Sequence, residues 1–214
     1  LRSVVGDARE VAAALPPGRP EVHDLALTVA VPGHGRVPLV GRVAVHGREI
    51  VQGQASRLQA RHRLVAWLRL LALAAAEPGP WRARVVGRDE AAGYLAPPQA
   101  EAAGLLGRYL GLYALGLSRP LPVPPRFGAA WAGFRLRGED PRGSLARQQL
   151  ETAWKLDTAN DPSWRLLGFS FPSVLDLDPV GLPALPGADP SETSLVGALS
   201  GSIWQPPQAW GQST

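Results

Sequence analysis

Alternating apolar and polar positions predict three strands in the first quarter of the chain. Residues 24–31 carry an apolar side chain at almost every second position, and a Pro- and Gly-rich turn leads into a second alternating run from Val37. His46-Gly47 marks a tight turn, after which residues 49–54 resume an extended run. The pattern therefore predicts a strand–turn–strand unit that leads directly into a helix.

Helical periodicity follows over residues 56–76. Ser56 can cap this helix, and the apolar side chains share one broad face: Leu58, Leu64, Val65, Trp67, Leu68, Leu71 and Ala75. Pro78-Gly79-Pro80 ends the helix. We expect Trp67 to be buried on that face, and we expect Arg57 and Arg61 to project together into solvent near the N-terminus of the helix.

The rest of the chain predicts two short strands and several helices. Strands are predicted at residues 81–86 and 93–95, and helices at residues 3–15, 99–117, 126–134, around 145–154 and from 189 to 204. Residues 119–125 contain four prolines and should run as an extended, polyproline-like chain. Asn160-Asp161-Pro162 breaks the preceding helix, and residues 164–171 are apolar enough to be buried. Residues 172–190 suggest a loop, and the tail after Pro207 is expected to fray.

Together these elements predict an α/β fold. Its mixed sheet of four to five strands is flanked by the 56–76 and 99–117 helices. With 214 residues and 45% apolar content, the chain is long enough to bury a core. We predict that residues 1–118 form this core domain and that residues 119–214 form a Pro-rich, helical extension that packs on it.

The composition excludes several kinds of site. The sequence has no cysteine, which excludes disulfides and thiolate metal sites, and no methionine, so we expect Leu1 to lie within a longer polypeptide. No apolar run reaches the roughly 18 residues of a membrane span, and no signal-peptide pattern opens the chain. We therefore expect a cytoplasmic protein that requires no membrane and no cofactor.

Basic residues are concentrated before residue 89. Residues 36–88 hold ten arginines against two acids, a net charge of +8, whereas residues 89–214 hold nine basic and twelve acidic residues, a net charge of −3. The positive segment indicates phosphate or an acidic partner, unless its arginines only solvate a helix face and strand edges. Single arginines carry little weight, because 21 arginines beside one lysine, Lys155, are typical of a GC-rich genome.

No motif of a known catalytic class is present. The four histidines, at positions 23, 34, 46 and 62, are scattered without metal-ligand spacing, so we expect no metal site. Neither GxxxxGK[ST] nor GxSxG occurs. Glu139-Asp140, Asp176 and Asp178 lie in Pro- and Gly-rich stretches, where turn formation explains carboxylates better than acid–base catalysis does.

The strand–turn–strand–helix unit nevertheless resembles the core of the RecB-type PD-(D/E)xK nucleases, which have a restriction-endonuclease-like fold. Their pattern is G-x-[IV]-D on one strand and D-x-K on the next, with carboxylates that hold a divalent metal. Gly41-Arg42-Val43 matches the first strand, but Ala44 stands at the aspartate position, and Gln52 and Gln54 stand at the D-x-K positions. Neutral amides bind Mg²⁺ weakly and cannot act as bases near pH 7, so the resemblance implies an inactive site.

A series of landmarks in a fixed order is similar to the C-terminal domain of the RecC family, the gamma subunit of bacterial exodeoxyribonuclease V. The landmarks are Ser56-Arg57-Leu58, Ala66-Trp67-Leu68, Leu71-Ala72-Leu73, Tyr113, Gly116-Leu117-Ser118-Arg119-Pro120-Leu121-Pro122, Ala130-Trp131, Asn160-Asp161-Pro162-Ser163-Trp164-Arg165-Leu166 and Ile203-Trp204-Gln205-Pro206. The resemblance implies RecB and RecD as partner subunits, and duplex or forked DNA as the substrate of the assembly. It also implies a role in repairing double-strand breaks.

Three functions follow as hypotheses. The first is a non-catalytic domain of a helicase–nuclease that contributes subunit contacts and, through Arg57 and Arg61, DNA contacts. The second is an active nuclease whose carboxylates are displaced, for example to Glu49 or Asp24; it would need a lysine near the sheet, and the sequence offers only Lys155. The third is a protein-interaction module without a nucleic-acid role.

Overall fold

The computed structural model describes residues 2–159, 161–179 and 192–212. The chain forms two compact units, one of Leu1–Gly111 with Ala209–Thr214 and one of Leu112–Gln208. Our division at residues 118 and 119, and the packing of the second part on the first, remain predictions. Asn160, most of the 172–190 loop and the first residues of the helix predicted from 189 lie outside the described residues.

The first unit holds every strand that the structure describes. In chain order its elements are α1 (Arg2–Ala13), β1 (Glu21–Val31), β2 (Gly35–Val45), β3 (Glu49–Gly53), α2 (Ala60–Ala76), β4 (Arg82–Val86), β5 (Ala91–Leu95), the larger part of α3 (Gln99–Ser118), and β6 (Gly211–Gln212). The predicted α/β class, with a mixed sheet and flanking helices, is therefore confirmed, whereas a nuclease-type core is not.

The strands pair differently from our expectation. Strands β1 and β2 form a separate antiparallel ribbon, in register from Glu21 opposite Val45 to Val31 opposite Gly35. In the described part of the chain, the mixed sheet has the order β3-β4-β5-β6, with β3 parallel to β4 and the other pairs antiparallel. Helix α2 makes the crossover that the parallel pair requires.

The C-terminal tail supplies the fourth strand of that sheet. Gly211 and Gln212 pair with β5, and the Leu95 amide donates a hydrogen bond to the Trp210 carbonyl at 3.1 Å. The prediction that the tail frays was therefore wrong as far as Gln212. The error has a physical cause: β5 leaves backbone groups unpaired at its edge, and even a two-residue strand satisfies some of them.

Ribbon and sheet are joined by the tight turn predicted at His46-Gly47. His46 and Glu49 exchange backbone hydrogen bonds of 2.8 and 3.1 Å. Gly47 has a φ of +63°, a conformation that side chains with a β-carbon rarely adopt, which explains the glycine at this position.

Helix α2 provides the centre of the core in the first unit. Trp67 is fully buried, as predicted, and its indole N–H donates to the Tyr109 hydroxyl at 3.1 Å. The face that we predicted is partly wrong, because Val65 is 40% exposed and Leu68 only half-buried. The buried face is formed instead by Ala66, Trp67, Leu70, Leu71, Leu73 and Ala74.

One of the glycines inside α3 has a packing role. A β-carbon at Gly107 would collide with the carbonyl oxygen of Ala30 in β1, whereas one at Gly104 would meet nothing within 4 Å. Gly107 therefore lets α3 approach the backbone of the ribbon, where Leu106 packs with Val29 and Val31. This close packing offsets the low helix propensity of glycine at that position.

The second unit is helical. Its elements are the end of α3, α4 (Pro125–Leu136), α5 (Ser144–Thr158), α6 (Ser163–Leu166), a 3₁₀ turn (Ser173–Asp176) and α7 (Leu195–Ala209), which ends just beyond the unit. Its core is largely aromatic: Phe127, Trp131, Phe134, Leu150, Trp154, Val174 and Val196. The prediction that residues 164–171 are buried is only partly confirmed: Trp164, Phe169 and Phe171 are partly buried against this core, whereas Leu166 and Leu167 are exposed. No helix among the described residues has both the length and the apolarity of a membrane span.

Candidate nucleic-acid interface

Helix α2 begins four residues later than its sequence pattern predicts. Its first residue is Ala60 and its N-cap is Gln59, whose extended backbone has φ −112° and ψ 156°. The backbone N–H of Gln59 donates a hydrogen bond to Nδ1 of His62 at 3.3 Å. Arg57 therefore lies outside the helix, in a segment of residues 54–59 that we call the approach loop, whereas Arg61 lies in the first helical turn.

The approach loop is held against the turn between β4 and β5, residues 87–90. The backbone N–H of Gln54 donates to the Val86 carbonyl at 2.8 Å, and the backbone N–H of Arg88 donates to the Ser56 carbonyl at 3.1 Å. A β-carbon at Gly87 would lie 2.8 Å from the Leu58 backbone nitrogen, so only glycine allows the two segments to approach this closely.

The Asp89 carboxylate makes the third link. Its Oδ1 accepts a hydrogen bond from the Leu58 amide at 2.9 Å. That hydrogen bond is the main reason why the pKa of Asp89 is lowered, and the charges of Arg57 and Arg88 lower it further. The Leu58 amide is thus bound by a carboxylate 31 residues away, and the helix begins at Ala60 and not after Ser56 as we predicted.

Two of the four arginines around this site are neutralised within the first unit. Arg63 pairs with Glu90 at 2.7 Å, and Arg88 pairs with Asp7 at 3.1 Å. Arg57 and Arg61 are exposed, and neither forms an ion pair with a carboxylate in the part of the chain that the structure describes. Arg61 instead directs its Nε toward Nε2 of His62 at 3.4 Å. Burial and the charge of Arg61 lower the pKa of His62, so the site gains no charge from this histidine at pH 7.

The three positions matched to the nuclease motif do not share one face. Strand alternation places Gln52 on the same side of β3 as the buried Ile50, and its Oε1 accepts from Nη1 of Arg69 at 3.4 Å. Ala44 is exposed on β2, between core residues Val43 and Val45, so its side chain points away from the core that Ile50 joins. Gln54 follows β3 in the approach loop, so the structure brings it near Gln52 but not near Ala44.

The carboxylates of the active-nuclease hypothesis are bound to arginines. Asp24 pairs with Arg42 at 2.7 Å on the outer face of the ribbon, where both side chains are 77% exposed, and Glu49 pairs with Arg84 at 3.3 Å. Lys155 lies in the second unit and pairs with Glu151 at 2.8 Å. Among the described residues, no group of three or more His, Cys, Asp or Glu side chains could hold a metal ion.

Comparison with known families agrees with the resemblance read from the sequence. The family model described as RecC C-terminal domain matches residues 1–154. The chain belongs to this family. The approach loop, α2 and the β4–β5 turn all lie within the matched residues, and so does the whole of the first unit except residues 209–214.

Curated relatives of this RecC C-terminal domain are mycobacterial. The RecBCD enzyme subunit RecC of Mycobacterium tuberculosis (strain ATCC 25618 / H37Rv) is 37% identical over 91 residues, which cover 40% of this chain and 8% of the relative. The protein of the same name from Mycolicibacterium smegmatis is 32% identical over 160 residues, which cover 71% of this chain and 14% of the relative. The chain therefore spans no more than about a seventh of the length of either of these relatives.

Sequence reasoning on this RecC C-terminal domain missed Gly87, Asp89 and Glu90. These residues lie between the predicted strands 81–86 and 93–95, but nothing in the local sequence connects them to Leu58 or to Arg63. These contacts arise because β3 and β4 are parallel neighbours, which places the segment after β3 beside the segment after β4.

Proposed function

We propose that this chain is a non-catalytic C-terminal domain of the RecC-like subunit of a helicase–nuclease of the exodeoxyribonuclease V type. The match of the RecC C-terminal domain to residues 1–154 carries the proposal. The assembly would act in double-strand-break repair and recombination, with RecB-like and RecD-like subunits as partners and duplex or forked DNA as substrate. The names of the mycobacterial relatives, which are RecBCD enzyme subunits, support these partners.

The chemistry of the sheet supports the absence of catalysis. Gln52 and Gln54 are amides, and Arg69 already donates to Gln52, so a cation placed there would meet a guanidinium instead of a carboxylate. Glu49 is engaged by Arg84 on the opposite side of β3 from Gln52. Hydrolysis of a phosphodiester by the nuclease mechanism requires carboxylates that converge on a metal, and these positions supply none.

The direct role proposed for the domain is contact with a partner subunit and with the DNA backbone. Arg57 and Arg61 support the DNA contact, since neither forms an ion pair with a carboxylate of the described residues, while Arg63 and Arg88 are neutralised by Glu90 and Asp7. Backbone N–H groups at the start of α2 add to the attraction for phosphate. Such contacts predict weak binding that is indifferent to sequence and strongly dependent on salt.

The absence of catalysis is tested with Mg²⁺ or Mn²⁺ and linear duplex DNA. We expect the chain to leave the DNA intact. Degradation that EDTA stops and that Asp24→Ala or Glu49→Ala abolishes would favour the displaced-carboxylate nuclease instead. In parallel, the longer RecC-like subunit should lose assembly with its RecB-like or RecD-like partner when this domain is removed; full assembly without it would contradict the subunit role.

The DNA contact is tested by fluorescence anisotropy of a forked duplex at several salt concentrations. We expect Arg57→Ala/Arg61→Ala to weaken binding and to reduce the slope of log K against log salt by about 0.9 for each phosphate that the variant no longer neutralises. Arg42→Ala is the matched control, because Arg42 is exposed but neutralised by Asp24. An unchanged affinity and slope in the double variant would leave contact with an acidic surface of a partner subunit as the role of these arginines.

A further inference from the structure

We propose that Asp89 is a positioning residue for Arg57: its carboxylate fixes the approach loop in the conformation that presents Arg57 beside Arg61 to a phosphate. This inference rests on the proposed DNA contact and adds a residue that does not itself touch DNA. Asp89 acts through the Leu58 amide, from which it accepts a hydrogen bond of 2.9 Å.

The loop around Arg57 is fixed on both sides. On one side the Ser56 carbonyl accepts from the Arg88 amide at 3.1 Å, and on the other the Leu58 amide donates to Asp89. The Leu58 side chain is buried in the core of the first unit, which holds the backbone after Arg57 close to Gly87. The Arg57 side chain itself is exposed.

Loss of the Asp89 hydrogen bond would release one of these two constraints. Arg57 precedes the helix, so no i→i−4 hydrogen bond would hold its backbone in place. A mobile loop must be ordered when it binds, and that ordering reduces affinity. We therefore expect the hydrogen bond to strengthen phosphate binding even though Asp89 itself makes no contact with the ligand.

The charge of Asp89 has the opposite effect on DNA. An acidic side chain near Arg57 lowers the local positive potential and should weaken phosphate binding. Removing the charge of Asp89 should therefore strengthen DNA binding, whereas removing its hydrogen bond should weaken DNA binding. This opposition separates a positioning role from a purely electrostatic one.

Two substitutions at one position separate the two effects. Asp89→Asn removes the charge but keeps an oxygen that accepts from the Leu58 amide, so it should bind the forked duplex about two- to fivefold more tightly than the wild type. Asp89→Ala removes both and should bind about two- to fivefold more weakly, although its net charge equals that of the Asn variant.

Glu90→Gln is the matched control. It removes one negative charge from the same turn and frees Arg63, but it leaves the hydrogen bond to Leu58 in place. It should therefore tighten binding as Asp89→Asn does. The measurement is the anisotropy titration of the full chain with the forked duplex at one low and one moderate salt concentration.

Amide hydrogen exchange at Leu58 provides a readout that does not depend on DNA. The Leu58 amide should exchange slowly in the wild type and in Asp89→Asn, and markedly faster in Asp89→Ala. Slow exchange in the Ala variant, or tighter DNA binding by the Ala variant, would overturn the positioning role. If Arg57→Ala/Arg61→Ala leaves affinity and salt slope unchanged, the proposed DNA contact fails and the positioning role for phosphate fails with it; if that double variant weakens binding but Asp89→Ala strengthens it, only the positioning role fails.

Discussion

In the helical second unit the acidic side chains of Glu192 and Asp157 pair with arginines inside the fold, whereas in the first unit Asp7 and Glu90 pair with arginines nearer the surface. The Glu192 side chain is 4% exposed and accepts hydrogen bonds from Arg135 at 2.9 Å and from the Trp131 indole at 3.2 Å. Asp157 accepts from the Arg126 amide at 2.6 Å, at the start of α4. Asp157 thus joins α5 to the start of α4, and Glu192 joins the segment before α7 to α4.

In the first unit, Asp7 and Glu90 instead form ion pairs with some of the arginines near the start of α2 and not with others. Asp7 and Glu90 each neutralise one arginine at a partly exposed position, where an ion pair contributes little to stability. Near the start of α2, Arg57 and Arg61 are then the arginines that form no ion pair with any carboxylate among the residues that the structure describes. Burial, and not residue type, therefore separates an acid that stabilises the fold from one that sets the charge of the surface.

The largest effect on stability is expected from the substitution of an uncharged, fully buried side chain in the core. Trp67→Ala should lower the free energy of unfolding by about 3–5 kcal/mol, because it removes a fully buried indole from the core of the first unit. Urea unfolding followed by circular dichroism measures the change. Val65→Ala, on the exposed side of the same helix, is the control and should cost less than about 1 kcal/mol. Equal stability of the Trp67 variant and the wild type would contradict the assignment of the buried face.

The contrast between buried and exposed acids is tested next. Glu192→Gln keeps the shape but leaves Arg135 without its counter-charge, and should cost about 2 kcal/mol, less than for a fully buried pair because Arg135 is 35% exposed. Glu151→Gln breaks the surface pair with Lys155 and should cost less than about 0.5 kcal/mol. Similar losses in the two variants would remove the distinction drawn between buried and exposed acids.

A smaller effect is expected from backbone packing in the first unit. Gly107→Ala should cost about 1–3 kcal/mol, because its β-carbon would collide with the Ala30 carbonyl oxygen. Gly104→Ala, one turn away with open space, should instead stabilise the helix by about 0.5–1 kcal/mol. Thermal unfolding of the two variants measures the opposite signs; two changes of the same sign would contradict the packing of α3 on β1.

The smallest effect concerns pH. The pKa of His62 lies below its ordinary value of 6.5, so between these two values the unfolded chain binds more protons than the folded chain does. Stability should therefore fall as pH decreases through 6.5 toward the lowered pKa, and should be insensitive to this group above 6.5. His62→Gln should reduce the difference in Tm between pH 7.5 and pH 5.5, while His34→Gln, in the exposed β1–β2 turn, should not. An identical pH dependence in all three proteins would contradict a contribution from His62.

The local sequence pattern predicted most of the helices and strands. The features that it missed depend on contacts between residues that are distant in the sequence. Alternation was sufficient for β1 and β2, because each strand has one face in the core and one in solvent. Periodicity placed Trp67 correctly but could not turn α2 to its true face, because apolar residues occupy almost every position of this helix. The hydrogen bond from Leu58 to Asp89 and the pairing of β6 with the edge of β5 join residues that no local window contains together.

The position of β6 also has a consequence for the order of assembly. Since residues 112–208 intervene between α3 and the last strand, the second unit is in effect an insertion within the first. During synthesis, the sheet of the first unit can form three strands early, but its fourth becomes available only after the whole helical insertion has left the ribosome. The sheet can therefore tolerate changes in the length or sequence of the insertion during evolution, provided that Gly211 and Gln212 still pair with the edge of β5.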